Sequence, residues 1–486
     1  MALLSLSNEL LANCFLYSSY SKSDIQNLRL VSKRVNANAS PFLVTKAHVS
    51  FNRNSIRDLE TLSNHSVFSK SIKCVRIDVS YYDKLLADSC HRFVEHNASE
   101  LNYTLDLLSR ATHRWYDKEG NVKDEYRGDK EIFAKAYRVN KEWHRTAVAM
   151  AATEDNIKFD ATEAQKLLIA AYEDYKELYS EQQAVLASGQ GVERVSQALN
   201  KMTGLEEIVI EDLMFNQPRR NGRSWVERFH IERLIESCLT KSRWKGSFMT
   251  AMETQPPVQI VTDLFAALAE SSVRPASFSI SITPPTDLRC VSFTTKQLET
   301  VRTVLAQAKE LCLAVSSWDR RGSLAENNDR PKEELTGLCA FTRAFFSSTR
   351  LQKLQLSLGN YPCFYEIPKI SLFDLLPMPL LTKDIFHIEL QSAPLKMNEL
   401  RALIDTMKDR IRSLALTKPY LLEGNWSDAI GMLRDLRKLE SIDFKYPYGG
   451  EYGDRRNGPG IEHDLIESYI LGKSNENPLR RQGLAE

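Results

Sequence analysis

The residues best suited to nucleophilic or metal chemistry lie between positions 90 and 96. Cys90 and His91 are adjacent, and a thiol beside an imidazole is a pairing that nucleophilic catalysis uses. Adjacent residues on a helix point in different directions, however, so this pair does not meet on a helix. His91 and His96 are five residues apart, which misses the spacing that places two imidazoles on one helix face. We therefore predict neither catalysis nor a metal site in this segment.

Motifs of the common enzyme classes are missing from the sequence. It contains no Gly-x-Ser-x-Gly elbow and no phosphate-binding loop ending in Gly-Lys-Ser/Thr. The glycine-rich run 446–460 continues with Asp454-Arg455-Arg456 instead of a lysine and a hydroxyl residue, so it predicts an ordinary loop. The sequence thus predicts a protein that is not an enzyme and needs no cofactor.

The charge balance bears on the class of partner. There are 64 basic and 63 acidic residues, which gives a net charge of +1 and no electrostatic case for nucleic acid or an anionic membrane. No apolar run is long enough to span a bilayer, and the first residues do not resemble a signal peptide. The eight cysteines form no Cys-x-x-Cys pair, so we expect reduced thiols in a cytoplasmic or nuclear protein.

The element around which the sequence is organised is the stretch Leu3–Leu43. Ser7 is the expected N-cap of a first helix, and Glu9 suits the positive end of its dipole. Ser23 and Gln26 have the spacing of a capping box at the start of a second helix, and Pro41 is expected near the end of a third element. Three helices in about forty residues make a poor core, so we expect some of their apolar residues to dock onto another surface.

These residues resemble an F-box. The similarity lies in Leu6-Ser7-Asn8-Glu9-Leu10-Leu11, in Cys14-Phe15, and in the run from Asp24 to Arg34, which reads DIQNLRLVSKR. The family usually has proline where this chain has Ser7, and the similarity covers about forty of the 486 residues. An ordinary helical hairpin that closes the domain behind it is the alternative interpretation.

The resemblance implies a docking face for a Skp-type adaptor protein and, through it, a cullin. The residues that we expect on this face are Leu6, Ser7, Leu10, Leu11, Phe15, Leu28, Leu30 and Val31.

The sequence predicts four further regions. Residues 44–70 look like a helical connector, and the alternation of Val75, Ile77 and Val79 predicts a strand that opens region 71–204. A long helical insertion follows, whose clearest helix is Glu163–Ala187. Residues 205–472 form the next region, and residues 473–486 are expected to be a flexible tail.

A short phrase, apolar-x-x-apolar-x-apolar, recurs through region 205–472. Its later copies are about 26 to 43 residues apart and are separated by helical patterns, which is typical of stacked strand-helix units. The middle apolar residues of the phrase are Ile208, Phe278, Leu311, Leu354, Ile388, Leu414 and Ile442.

This phrase resembles that of leucine-rich repeats, although the asparagine usual in that family is missing. The predicted fold class is α/β, with an N-terminal three-helix F-box followed by an irregular leucine-rich-repeat-like solenoid that carries a helical insertion. A generic α/β domain with several buried strands is the alternative.

The expected recognition surface lies in the loops 216–225, 316–330 and 445–460, because loops between stacked units commonly carry binding residues. Their aromatic and arginine side chains are the candidate substrate-binding residues, by residue type alone: Trp225, Trp318, Arg320, Tyr446, Tyr448 and Tyr452.

Together these features predict the substrate-recognition subunit of a Skp-cullin-F-box type ubiquitin ligase, which holds an unknown substrate protein. The combination resembles a large class of F-box proteins from filamentous fungi. Two alternatives are an F-box scaffold that acts outside a ligase and an enzyme with an unfamiliar α/β site.

Overall fold

The computed structural model describes residues 6–17, 22–113, 127–152, 162–212, 239, 241, 256–283, 292–315, 332–358, 371–376, 384–452 and 463–480. The chain is α/β and folds as two compact units. The main unit comprises residues 1–79, 188–212 and 257–486, and the inserted unit comprises residues 80–187 and 213–256.

Nine parallel strands form the principal sheet of the main unit, and their order in the sheet follows their order in the chain. They are β1 Lys46–Ser50, β2 Cys74–Asp78, β3 Glu207–Glu211, β4 Ser277–Ile282, β5 Glu310–Val315, β6 Lys353–Ser357, β7 His387–Gln391, β9 Ser413–Thr417 and β11 Ser441–Lys445. β3 pairs directly with β4 although a long interval separates them in the chain.

The helices described in the main unit are α1 Asn8–Tyr17, α2 Lys22–Leu28, α3 Lys33–Ala39, α4 Arg53–Asn64, α5 Phe68–Ser71, α10 Gln190–Lys201, α11 Gln259–Glu270, α12 Thr295–Leu305, α13 Lys332–Phe345, α14 Leu372–Leu375, α15 Met397–Met407, α16 Trp426–Leu433 and α17 His463–Ile470. Those of the inserted unit are α6 Lys84–Asp88, α7 Cys90–His113, α8 Arg127–Ala151 and α9 Glu163–Ala187.

The register of the sheet places the recurring apolar residues side by side. From β2 to β11, one buried row crosses the sheet through Val75, Ile208, Phe278, Leu311, Leu354, Ile388, Leu414 and Ile442. The alternation predicted a strand at each of these positions, and the structure confirms all of them. The side chains between the buried ones form the other face of the sheet, here called the open face.

Strand β1 is a difference from the prediction, because it lies within the expected helical connector 44–70. Only Ala47 and Val49 are buried in it, and this alternation is too short to stand out in the sequence. β1 pairs with β2 in parallel, with Val49 opposite Ile77.

A second, smaller parallel sheet follows the last three strands. It consists of β8 Pro394–Leu395, β10 Tyr420–Leu421 and β12 Tyr448–Gly449, in the order β12-β10-β8. Part of the predicted loop 446–460 is therefore a strand. Between each long strand and its short successor lies a residue with positive φ: Ser392, Lys418 or Tyr446.

The described part of the inserted unit is helical, as the sequence predicts, and helix Glu163–Ala187 has the expected bounds. Its core includes Phe93, Trp143, Leu168 and Tyr175. The Tyr175 hydroxyl accepts a hydrogen bond from the backbone N–H of Asp83 at 2.7 Å, and its ring packs edge-on against Tyr82.

The C-terminal residues 473–480 pack against the main unit. The Asn477 side chain donates to the Ser427 carbonyl at 2.9 Å, and Leu479 is buried. This part of the expected flexible tail is therefore ordered, and residues 481–486 lie outside the described residues.

Candidate docking sites

The N-terminal helices α1 to α3 form a small cluster with its own core. Leu11, Phe15, Ile25, Val35 and Ala39 are buried in it, and Leu28, Phe42 and Leu43 pack against them. Every member of this cluster comes from residues 11–43. Among the described residues, these helices therefore have an apolar core that is separate from that of the strands that follow.

Local hydrogen bonds fix the starts of α1 and α3. The Ser7 hydroxyl accepts a hydrogen bond from the Leu10 backbone N–H at 3.3 Å, which confirms Ser7 as a cap of α1. Hydrogen bonds from the Glu9 backbone and the Ser7 side chain lower the pKa of Glu9. Helix α2 begins at Lys22, so Ser23 and Gln26 already lie inside it and are not placed as the expected capping box. The Ser32 hydroxyl caps α3 by accepting from the Val35 N–H at 3.1 Å.

Arg34 ties α1 to α3. Its Nε donates to Asn8 Oδ1 at 2.8 Å, and its Nη2 donates to the Leu6 carbonyl. The guanidinium thus holds the start of α1 beside the first turn of α3, and the orientation of the two helices is set by polar contacts as well as by the core.

The eight residues expected on the adaptor face divide into two groups. Leu11 and Phe15 are enclosed in the core, Leu6 and Leu28 are half-buried, and Ser7 is exposed but serves as a cap. Leu10, Leu30 and Val31 are 53%, 85% and 59% exposed. We call these three residues the docking patch. Leu11 and Phe15 offer no surface to a partner because they are buried. They lie in the core of the three helices and not on the exposed face.

The docking patch is unusual within the described part of the chain. Only seven large hydrophobic side chains there are exposed, and three of them belong to the patch. The sequence could not separate Leu10 from Leu11, since both fit the helical pattern and only the packing of α1 against its neighbours distinguishes them.

The second candidate site, for a substrate, is only partly described. Trp225, Trp318 and Arg320 lie outside the described residues. Tyr446 is exposed, Tyr448 is half-buried and Tyr452 is buried, so Tyr452 does not face solvent with the other two.

Tyr446 and Tyr448 are held at the carboxyl end of the last strand. The Tyr446 ring packs edge-on against His463 with 5.2 Å between ring centroids. The Tyr448 carbonyl accepts a hydrogen bond from Trp426 Nε1 at 2.9 Å, and β12 aligns Tyr448 with Tyr420 on β10. The structure thus brings Tyr420, which the sequence did not single out, into the same row as Tyr448.

The open face of the sheet carries one charged contact that the sequence did not reveal. Arg76 on β2 and Glu211 on β3 lie two register positions apart on the same face, with 3.0 Å between Nη2 and Oε2. Burial raises the pKa of Glu211 to about 7, although Arg76 opposes this effect. Oε1 of Glu211 is shielded from solvent and has no hydrogen-bond partner among the described residues.

The cysteine and histidines that the sequence raised for chemistry lie in the inserted unit. Burial raises the pKa of the Cys90 thiol, which disfavours the nucleophilic thiolate, and burial lowers the pKa of His96 to about 4. Within the described ranges, no group of three metal-ligating side chains could hold a metal ion.

None of the helices described is both long and apolar enough to cross a membrane. No protein-family model matches the chain. No curated protein matches it either.

Proposed function

We propose that this chain is the substrate-recognition subunit of a Skp-cullin-F-box type ubiquitin ligase, acting in the cytoplasm or nucleus. In this proposal α1 to α3 are an F-box that docks a Skp-type adaptor. The remainder of the main unit is an irregular leucine-rich-repeat-like solenoid that holds a substrate protein.

The observation that carries the proposal is the exposure of the docking patch. Leu10, Leu30 and Val31 remain in solvent while the core of α1 to α3 is already closed behind them. Burying one leucine or valine contributes about 1.5–3 kcal/mol, so leaving three of them exposed is a cost that a partner surface would remove.

The order of the strands supports the second half of the proposal. Stacked repeats place each new strand beside the previous one, whereas a doubly wound sheet reverses direction at a switch point. Here nine parallel strands follow chain order without reversal. The positive φ at Ser392, Lys418 and Tyr446, each directly after a strand, supports a repeated turn in the last three units.

The substrate would be held at the carboxyl ends of the last strands, where the Tyr446 side chain is exposed beside half-buried Tyr448 and Tyr420. Exposed tyrosine is a frequent anchor in protein interfaces because it buries a large area at a small entropic cost. Under this mechanism the chain makes and breaks no bonds, and it accelerates ubiquitin transfer by holding the substrate close to the conjugating enzyme.

The proposal is tested by affinity capture of the full chain and of two matched variants. The triple variant Leu10→Asp, Leu30→Asp, Val31→Asp places charge on the patch without entering the core. We expect it to lose the adaptor and the cullin. The control is Leu465→Asp, which changes an exposed leucine of α17 and should retain both.

The possible outcomes separate the alternatives. Capture of the adaptor without a cullin would favour a scaffold that acts outside a ligase. Equal adaptor capture by the wild type and the triple variant, or no adaptor capture by the wild type, would remove the basis of the proposal. Leu11 is unsuitable for this test, because a charge at that buried position would unfold the helices.

A further inference from the structure

Positive charges lie close in the sequence to two of the three residues of the docking patch, Leu30 and Val31. Leu30 and Val31 are preceded by Arg29 and followed by Lys33 and Arg34, and Lys22 opens α2. In the described part of residues 6–43 these four cations face only two acidic residues, Glu9 and Asp24. The whole chain, by contrast, has 64 basic and 63 acidic residues. The excess of positive charge here is therefore local.

Two of these cations stand where folding alone disfavours them. Lys22 is the first residue of α2, and Lys33 is the first residue of α3, whose first turn contains no acidic residue. The dipole of a helix favours negative charge at that end by about 0.3–1 kcal/mol per residue. Both lysines are exposed, and neither forms a hydrogen bond or ion pair in the described part of the chain. Their charge therefore contributes nothing favourable to the helices that carry it.

The arginines beside the patch differ from the lysines because they also serve the fold. Arg29 Nε donates to Asn36 Oδ1 at 2.8 Å, and Arg34 joins α1 to α3. Guanidinium groups used in this way still present a positive charge next to the exposed turn. The lysines, which have no such contact among the described residues, can be changed without loosening the helices.

We propose that Lys22, Arg29, Lys33 and Arg34 form a cationic rim around the docking patch, and that the partner carries an acidic surface around an apolar cleft. The inference rests on the proposed function in one respect: the partner is taken to be the Skp-type adaptor. The apolar patch sets how long the complex lasts, and the rim sets how fast the two surfaces meet.

A protein partner fits these observations better than a lipid surface or a nucleic acid. The apolar part consists of three aliphatic side chains on a short turn and helix, whereas membrane-binding helices bury a long continuous face. Neither the docking patch nor the rim contains an aromatic side chain that could stack on bases. Glu9 and Asp24 would oppose a phosphate backbone. A folded protein with a complementary acidic edge faces neither difficulty.

The test measures the kinetics of binding between the full chain and a purified Skp-type adaptor. The variant is Lys22→Glu, Lys33→Glu. We expect its association rate at low salt to fall about tenfold, while its dissociation rate changes little. The wild-type association rate should fall as NaCl rises from about 50 mM to about 500 mM, and the variant should show a much weaker salt dependence. Leu30→Ala should instead raise the dissociation rate.

Stability separates a binding defect from a folding defect. Glutamate at the start of α2 and α3 suits the helix dipole, so the melting temperature of the double variant should stay the same or rise. The matched control is Lys296→Glu, Lys332→Glu, which makes the same change in net charge in the first turns of α12 and α13. It should leave association unchanged. The milder Lys22→Gln, Lys33→Gln variant should give an intermediate association rate.

Adaptor binding that is insensitive to salt and to charge reversal would overturn the rim while leaving the proposed function intact. Failure of the wild type to bind adaptor at any salt concentration would overturn the proposed function, and the rim with it. Recruitment of the wild type, but not the double variant, to phosphatidylcholine vesicles containing phosphatidylserine would overturn the proposal in favour of a membrane surface.

Discussion

Glu211 is a buried carboxyl group on the open face of the sheet. Its side chain is buried beside Arg76, and only one of its two carboxylate oxygens has a partner among the described residues. Asp78 and the neighbouring Asp212 add negative charge, so they reinforce the effect of burial. A carboxyl group in such surroundings holds its proton at a higher pH than it does in the unfolded chain.

This environment predicts a pH-dependent contribution to stability. The folded-state pKa of about 7 lies above the ordinary value of 4.5, so the folded protein binds more protons than the unfolded chain between these values. The contribution of Glu211 is therefore fully present below pH 4.5 and is lost as pH rises through 7. The loss is on the order of 3 kcal/mol.

Chemical denaturation across this pH range checks the prediction. Glu211→Gln should remove the dependence and be more stable than the wild type above pH 7, since a neutral amide can still accept from Arg76. Glu310→Gln, at an exposed position on β5, is the control and should follow the wild type. Parallel profiles for wild type and Glu211→Gln would contradict the assignment.

Gly449 illustrates a backbone position that only glycine satisfies. Its φ is +71°, and a Cβ there would lie 2.1 Å from the Leu421 carbonyl oxygen of the neighbouring short strand. Gly449→Ala should therefore lower the free energy of unfolding by more than about 2 kcal/mol, from positive φ and from the forced shift of β12.

The matched control for Gly449 is Gly472, which has nearly the same φ of +70° but nothing within 4 Å of the position that a Cβ would occupy. Gly472→Ala should cost about 1 kcal/mol, the backbone contribution alone. Urea titration of the two variants measures the difference. Equal losses would show that the close approach of the two strands does not matter.

Among the elements, α16 shows how one strand-helix segment of the main unit is linked to the next. The carboxylate of Glu451, which follows β12, binds the first two residues of this helix. It accepts hydrogen bonds from the backbone N–H groups of Trp426 at 2.6 Å and Ser427 at 3.2 Å. A carboxylate at this end also suits the helix dipole. The contact joins the residues that follow β12 to the helix that precedes β11.

Removal of this contact gives a prediction at the scale of the element. Glu451→Ala should destabilise the main unit by about 1–2 kcal/mol, because two helical N–H groups lose a charged acceptor. Hydrogen exchange should show faster opening of α16 than of α15. Glu423→Ala is the control, since that exposed residue occupies the corresponding place one unit earlier and should cost less than about 0.5 kcal/mol.

In the N-terminal helices, the local sequence and the tertiary contacts determine different features. Periodicity identified α1, and Pro41 marked the end of the third element, whereas Arg34 and the cap at Ser32 fix how the helices meet. The exposed patch is a consequence of that arrangement. A rotation of α1 by one residue would place Leu10 in the buried position that Leu11 now occupies.

At the scale of the whole molecule, His96 predicts a response of the inserted unit to acid. His96 in the inserted unit has a pKa lowered to about 4 by burial, below the ordinary 6.5. The unfolded chain therefore binds a proton first as pH falls, and the stabilising contribution of neutral His96, present above pH 6.5, is lost as pH decreases toward 4.

Hydrogen exchange on the full chain checks this expectation. Between pH 6.5 and 4, amides of α7 and α9 should lose protection sooner than those of the principal sheet, after correction for intrinsic exchange. His96→Gln should reduce that loss, whereas His91→Gln, at an exposed position of the same helix, should not. Uniform loss of protection in the wild type and His96→Gln would contradict the role of His96.

Much of the main unit could be anticipated because a parallel strand buried on one face leaves a visible alternation. Ile208, Phe278 and Leu354 mark their strands without any knowledge of neighbours. β1 and β12 could not be found this way. They are short, and their extended conformation depends on pairing with β2 and β10.

The sequence by itself determined the α/β class, the positions of most strands and helices, and the cluster of apolar residues near the N-terminus, since each leaves a local periodic pattern. The tertiary structure decided which of those apolar residues stay in solvent, that Arg76 meets Glu211, and that Tyr420 joins Tyr448. These facts depend on contacts between residues far apart in the chain. Local propensity carries no information about such contacts, because burial and pairing are properties of the packed molecule.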